Sequence, residues 1–127
     1  MRQNVSSSSP FEPVFGFSRA VRVGGLIAVS GTVGRRQDGT FSDDLYEQTR
    51  QTIDNIAAAL AEAGATLSHV VRTRIYLVDI DRWEDVARAH LEAFGVIRPA
   101  SSMVEVKRLA TPEMLVEIEA DAVIETP

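Results

Sequence analysis

The chain has 127 residues, no cysteine and a formal net charge of −5, with 45% hydrophobic and 24% charged residues. That is one domain's length with an ordinary globular composition, and it excludes disulfide and thiolate chemistry. No apolar run approaches the roughly 20 residues of a membrane span, and the acidic balance weighs against a partner held mainly through phosphates, a local basic patch aside.

Residues 1–13 read as a flexible or extended arm. They are Ser-rich and polar, with Pro10 and Pro13, and lack the apolar core of a secretory leader, so the expected compartment is cytoplasmic. Phe17–Val23, then Gly24-Gly25, then Leu26–Ser30 spell two strands joined by a tight hairpin, because glycine accepts the positive φ of the primed turns. Arg35-Arg-Gln-Asp-Gly39 is a loop with an Asp-Gly turn. A helix follows from about Ser42–Asp44. Asp44 with Glu47 fits a capping box, Leu45, Thr49, Thr52, Ile53, Ile56 and Leu60 make one stripe, and Gly64 closes it.

Val70–Val78 reads as a strand, with Val71, Thr73, Ile75 and Leu77 opposing Arg72, Arg74 and Tyr76. Asp81 and Glu84 form a second capping box before a helix that ends at Phe94-Gly95, with Trp83, Val86, His90 and Phe94 at helical spacing. Two alternating runs complete the chain. In Arg98–Val106, Ser101, Met103 and Glu105 share one side while Ser102, Val104 and Val106 share the other. In Met114–Ile124, Val116, Ile118, Ala120 and Ala122 oppose Glu117, Glu119 and Asp121.

The order β-β-α-β-α-β-β predicts a single α+β domain, residues 1–127, with two helices packed on one face of a mixed sheet. The other face is open. If all the apolar sides meet the helices, it carries Arg72, Arg74, Ser101, Met103, Glu105, Glu117 and Glu119, a composition suited to a subunit interface with polar pockets at its rim.

Five segments at this spacing resemble the reactive-intermediate deaminase family (RidA, also YjgF or L-PSP endoribonuclease-like), over residues 14–124. They are the Val-Gly-Gly-Leu-Ile-Ala-Val-Ser-Gly hairpin, Asn55-Ile…Leu60…Ala63-Gly64, Val70-Val-Arg-Thr…Tyr76-Leu-Val-Asp79, Pro99-Ala…Val104-Glu-Val106…Leu109, and Val116-Glu-Ile-Glu-Ala120. The resemblance implies a chorismate-mutase-like fold and a homotrimer with ligand clefts between subunits. It also implies hydrolysis of enamines and imines to 2-keto acids and ammonia, with no cofactor and no metal.

The family's carboxylate-clamping arginine falls at Ser101, so the chain resembles an arginine-lacking subgroup. A hydroxyl supplies neither the charge nor the fork of a guanidinium, a loss on the order of 1.5–3 kcal/mol. Phe17 stands where Tyr is common, Thr32 where Gln is common, Ala87 and His90 where Asn and Tyr are frequent, and Met103 at a small or Cys position. Ser30, Gly31 and Glu117 are kept, and Glu117 matches the carboxylate that holds the attacking water. The implied site is Glu117 as catalytic acid–base, with Phe17, Ser30, Gly31, Ser101, Met103 and Arg98 around a small-molecule ligand at the subunit interface.

Each residue also has a plainer reading. Glu117 could pair with Arg72 or Arg74 across the barrel that the resemblance implies. Glu105 and Glu119 read as structural, and Ser30 and Ser101 could be ordinary strand serines. Arg98 either replaces the lost clamp or, preceding a proline, is an extended surface residue. His90 on a core-facing stripe reads as a satisfied core or interface group, and the two histidines form no metal motif. The functional alternatives are a non-catalytic ligand-sensing or chaperone-like trimer and, with less support, an endoribonuclease or translation inhibitor.

Overall fold

The computed structural model describes residues 1–125. It is an α+β fold on one mixed six-stranded sheet. In chain order the elements are β1 (Arg2–Val5), α1 (Phe11–Phe15), β2 (Ala20–Val23), β3 (Leu26–Val33), α2 (Leu45–Glu62), β4 (Val70–Leu77), α3 (Trp83–Phe94), β5 (Ala100–Glu105) and β6 (Val116–Val123). The strands lie in the order β1-β2-β3-β6-β4-β5. Every pairing is antiparallel except β4 with β5, whose connection runs through α3.

The core lies between the sheet and the two long helices. Ile27, Val29, Ile75, Leu77, Ile118 and Ala120 from the strands meet Ile53, Ile56 and Leu60 of α2 and Val86 and Phe94 of α3, all buried. Three polar residues share this interior without loss of hydrogen bonds. Thr49 and Thr52 donate to the carbonyls of Leu45 and Gln48, each at 2.8 Å. Gln48 donates to Ser42 O and Glu113 O at 2.8 and 2.9 Å and accepts from Leu115 N at 2.7 Å, which ties α2 to the start of β6. The β2–β3 hairpin turns at Gly24, whose φ of 59° is the left-handed conformation that glycine adopts at least cost.

Local signals and structure part at several places. The N-terminal arm contains an edge strand. β1 pairs with β2, buries Val5 and anchors Gln3 to the carbonyl of Glu62 at 2.9 Å, and Phe11 then begins a short helix instead of an extended segment. Asp44 does cap α2, by accepting from Tyr46 N at 3.1 Å. At α3 it is Asp79, not Asp81, that caps, holding a 3-10 turn over 80–82 that runs directly into the helix. Gly95 stays right-handed, and the left-handed residue after α3 is Arg98, φ 56°.

The largest correction concerns β5. Ser101, Met103 and Glu105 do not lie on the open face. The parallel register sets them beside Thr73, Ile75 and Leu77, all turned to the helices. Ser102 and Val104 take the open side. As the edge strand, β5 leaves Val104 48% exposed, so the more apolar parity of this strand is not the buried one. Arg74, Tyr76, Glu117, Glu119 and Asp121 share the open face. Among the described residues no helix is long and apolar enough to cross a membrane.

Candidate functional site

Glu117 is the second residue of β6, opposite Tyr76 on one side and Val33 on the other. The β3–β6 register slips between Val29 and Thr32, and Gly31 sits in that irregularity. The Glu117 carboxylate lies over Gly31, in the space where a side chain would begin. Burial raises its pKa above the ordinary carboxylate range. Arg19 opposes that rise, and the neighbouring Glu119 adds to it. It therefore sits in the direction a general acid–base needs at neutral pH.

Arg19 is the group that builds this corner. Its guanidinium, 8% exposed, donates to Gly31 O at 2.5 Å and Thr32 Oγ1 at 3.2 Å. It pairs with the buried Glu12 at 3.7 Å, and it lies 5.3 Å from the centroid of the Phe17 ring. Glu12 in turn accepts the backbone N–H and the hydroxyl of Ser7. Ser30 donates to Ser18 O at 2.6 Å, so its hydroxyl is engaged in holding the strands together. Phe17, Ser30, Gly31 and Glu117 thus form one cluster, with Arg19 and Glu12 behind it. Spacing carried no signal for those two, because both precede the regular part of β2.

Within one copy of the chain, among the described residues, Glu117 makes no ion pair with Arg72 or Arg74. Arg74 reaches Asp121 at 3.2 Å and Glu119 at 4.0 Å. Tyr76 donates to Glu119 at 2.8 Å, and this bond to an acid raises the Tyr76 pKa. The other acids of the face absorb its cation and hydroxyl. Glu105 accepts from Ile80 N at 3.1 Å, a structural contact.

Ser101, Met103 and Arg98 belong to a second cluster, a groove between α3 and β5 that His90 and Trp83 also line. The fully buried Thr73 donates to Ser101 Oγ at 2.7 Å, and its oxygen lies 3.0 Å from His90 Nε2. With the Thr73 proton given to Ser101, His90 donates from Nε2. Burial lowers the His90 pKa and favours the neutral ring, here as the tautomer with its proton on Nε2. The relay ends at Ser101, whose own hydroxyl proton remains free for a ligand. Arg98 is not extended, despite Pro99. Its N–H continues the helix by donating to Phe94 O at 2.7 Å, and its left-handed backbone turns the chain into β5 at the lip of the groove.

The two clusters face opposite sides of the sheet, with β4 between β6 and β5. One copy of the chain does not bring Glu117 and Ser101 onto one small ligand. Among the described residues no group of three or more His, Asp or Glu side chains could hold a metal ion.

Residues 7–124 match the family described as Endoribonuclease L-PSP. A solved member of the YjgF/YER057c/UK114 family from Mycobacterium tuberculosis is 53% identical, superposes with a TM-score of 0.91 and covers 98% of this chain and 100% of its own. The YjgF gene product of E. coli superposes at 0.83 with 28% identity, over 96% of this chain and 94% of its own. A RutC family protein of Pyrococcus abyssi is 37% identical over 113 residues, 87% of this chain and 88% of that protein.

Proposed function

The chain belongs to the Endoribonuclease L-PSP (YjgF) family, with its chorismate-mutase-like fold, and from that premise we propose that it binds a small metabolite between two copies of itself and hydrolyses a C=N bond with a water held by Glu117. The observation that supports this most is the Glu117 carboxylate over Gly31, with its pKa raised by burial and Arg74 of the same sheet face committed to other acids.

The chemistry balances within that site. Water adds to the imine carbon as Glu117 accepts one of its protons. Glu117 returns that proton to the nitrogen to give a carbinolamine, then takes the carbinolamine's hydroxyl proton and passes it to the amino nitrogen as the C–N bond breaks, so that ammonia leaves a carbonyl behind. In the proposed homotrimer Phe17, Ser30, Gly31 and Glu117 of one copy meet Ser101, Met103 and Arg98 of the next. Their placement on opposite sheet faces, with β5 at a free edge, favours this reading over a site within one copy.

Ser101 stands where the family's arginine would clamp a substrate carboxylate, and we read the chain as one of an arginine-lacking branch. Arg98 supplies the guanidinium instead. Its left-handed backbone at the lip of the groove is a conformation that a non-glycine residue holds at a cost of roughly 1–2 kcal/mol.

A second reading, a non-catalytic ligand-binding trimer, is favoured by Phe17, which offers no hydroxyl, and by Ser101 Oγ being already engaged by Thr73. The test is keto-acid release from imines generated by an amino-acid oxidase, with wild type beside Glu117→Gln. Loss of turnover by about 100-fold or more in a variant that still elutes as the wild-type assembly supports the hydrolase. Unchanged turnover removes Glu117 from the chemistry. Ligand binding without turnover in the wild type leaves the second reading standing.

A further inference from the structure

A separate cavity of about 730 Å³ lies between the N-terminal segment and the loop that follows β3. None of Phe17, Ser30, Gly31, Arg98, Ser101, Met103 or Glu117 lines it. Its volume falls in the range of about 300–1,000 Å³ typical of small-molecule sites, and its character is that of such sites, mostly apolar with a few polar groups. Phe11, Val33, Phe41 and Met114 form apolar walls, and α2 contributes Ala58 and Ala59.

The polar side is cationic. Arg19 borders the cavity but is satisfied by Glu12, Gly31 O and Thr32 Oγ1. Arg35 is different. It is half-buried, it donates one bond to Ser8 Oγ at 3.1 Å, and among the described residues no carboxylate pairs with it. A guanidinium has five donors, so most of its capacity is unused. The backbone that carries it is fixed, because Asn55 donates to the carbonyls of Val33 and Arg35, both at 2.9 Å. The charge is therefore held at an apolar cavity without a counter-charge, which costs hydration that an anion would restore. Glu62 and Glu113 also border the space. Neither pairs with Arg35, and both oppose a second negative charge on a ligand.

We propose that this cavity binds a small organic monoanion with an apolar body, an aliphatic or aromatic carboxylate. Its acid group lies on Arg35, its body lies between Phe11 and Phe41, and the Ser6–Phe11 segment forms the cover. The site is independent of the Glu117 cluster and does not rest on the hydrolase reading.

The probes are octanoate and 1-octanol, of equal length and different charge, titrated calorimetrically below the micelle concentration. Octanoate binds saturably at one site per chain, and at least ten-fold more tightly than octanol. Arg35→Met weakens octanoate by about 10- to 100-fold, the scale of a charged hydrogen bond, and leaves octanol unchanged. Ala58→Trp, on an exposed helix position that borders the cavity, weakens both and melts as the wild type does. Equal affinity for the two probes, no saturable binding, or an Arg35→Met protein of unaltered octanoate affinity overturns the proposal.

Discussion

The carboxylate of Glu117 occupies the space that a side chain on residue 31 would fill, so that a Cβ added to Gly31 would fall well inside contact distance of Glu117 Oε2. One residue's lack of a side chain is the condition for the other's position. Gly31→Ala must therefore turn the carboxylate away, a shift of a flexible side-chain end that costs little stability. Urea melts should change little, and any turnover that depends on Glu117 should fall. An alanine variant with wild-type turnover would show that the acid has room to work elsewhere.

Burial is the main influence on Glu117, and it acts against the charged form, raising the pKa. An acid whose folded pKa exceeds its unfolded value, about 4.3 for glutamate, binds more protons folded than unfolded between the two. Its contribution to stability is whole below the unfolded pKa and is lost as pH rises through the folded one. Glutamine at this position has nothing to titrate. The melting temperature of Glu117→Gln minus that of wild type should be close to zero near pH 4 and should grow positive toward pH 7. A difference that shrinks or turns negative over that range would mean that attraction to Arg19 outweighs desolvation.

Glu12 and Arg19 form a buried pair, 6% and 8% exposed, at 3.7 Å. Removing one partner of such a pair leaves the other charged and unmatched, a cost of about 3–5 kcal/mol. Arg19→Met should be destabilised on that scale. Adding Glu12→Gln should restore part of the loss, because the stranded charge is gone while the support for Gly31 O is still missing. A double-mutant cycle by chemical denaturation measures this, with an expected coupling of at least about 1 kcal/mol. Simple additivity would show that the two side chains act separately.

The elements that were legible in the sequence are those whose signals are local. The stripe of α2, its Asp44 cap and the Gly24 turn all depend on neighbours within a few residues. β1 was not legible, because a polar run with one buried residue becomes a strand only by pairing with β2. Parity showed that Ser101, Met103 and Glu105 share a side. It could not show which side, since that is decided by the parallel register with Thr73, Ile75 and Leu77. At the site, Glu117 and Gly31 came through the family resemblance, whereas Arg19 lies in irregular backbone and Glu12 in a five-residue helix too short for periodicity to reveal. Arg98 defeated a sound rule. The residue before a proline avoids helical backbone, but here the C-terminal turn of α3 holds it left-handed.

That left-handed backbone also separates stability from binding at Arg98. Glycine adopts φ near 56° without the Cβ penalty, so Arg98→Gly should fold at least as well as wild type, with up to about 1–2 kcal/mol of strain relieved and partly offset by glycine's greater freedom when unfolded. If Arg98 is the clamp, the same variant should raise KM for 2-imino acids by about 10- to 100-fold and leave imines without a carboxylate unaffected, because only the former lose a charged hydrogen bond. Ser101→Arg added to Arg98→Gly then tests whether a guanidinium at the neighbouring groove position serves as well. It must displace the Thr73–Ser101 bond, so its stability should be checked alongside. Recovery of KM places the carboxylate at this groove. An Arg98→Gly variant with unchanged KM for both substrate classes would remove Arg98 from binding and assign its strain to the α3–β5 turn alone.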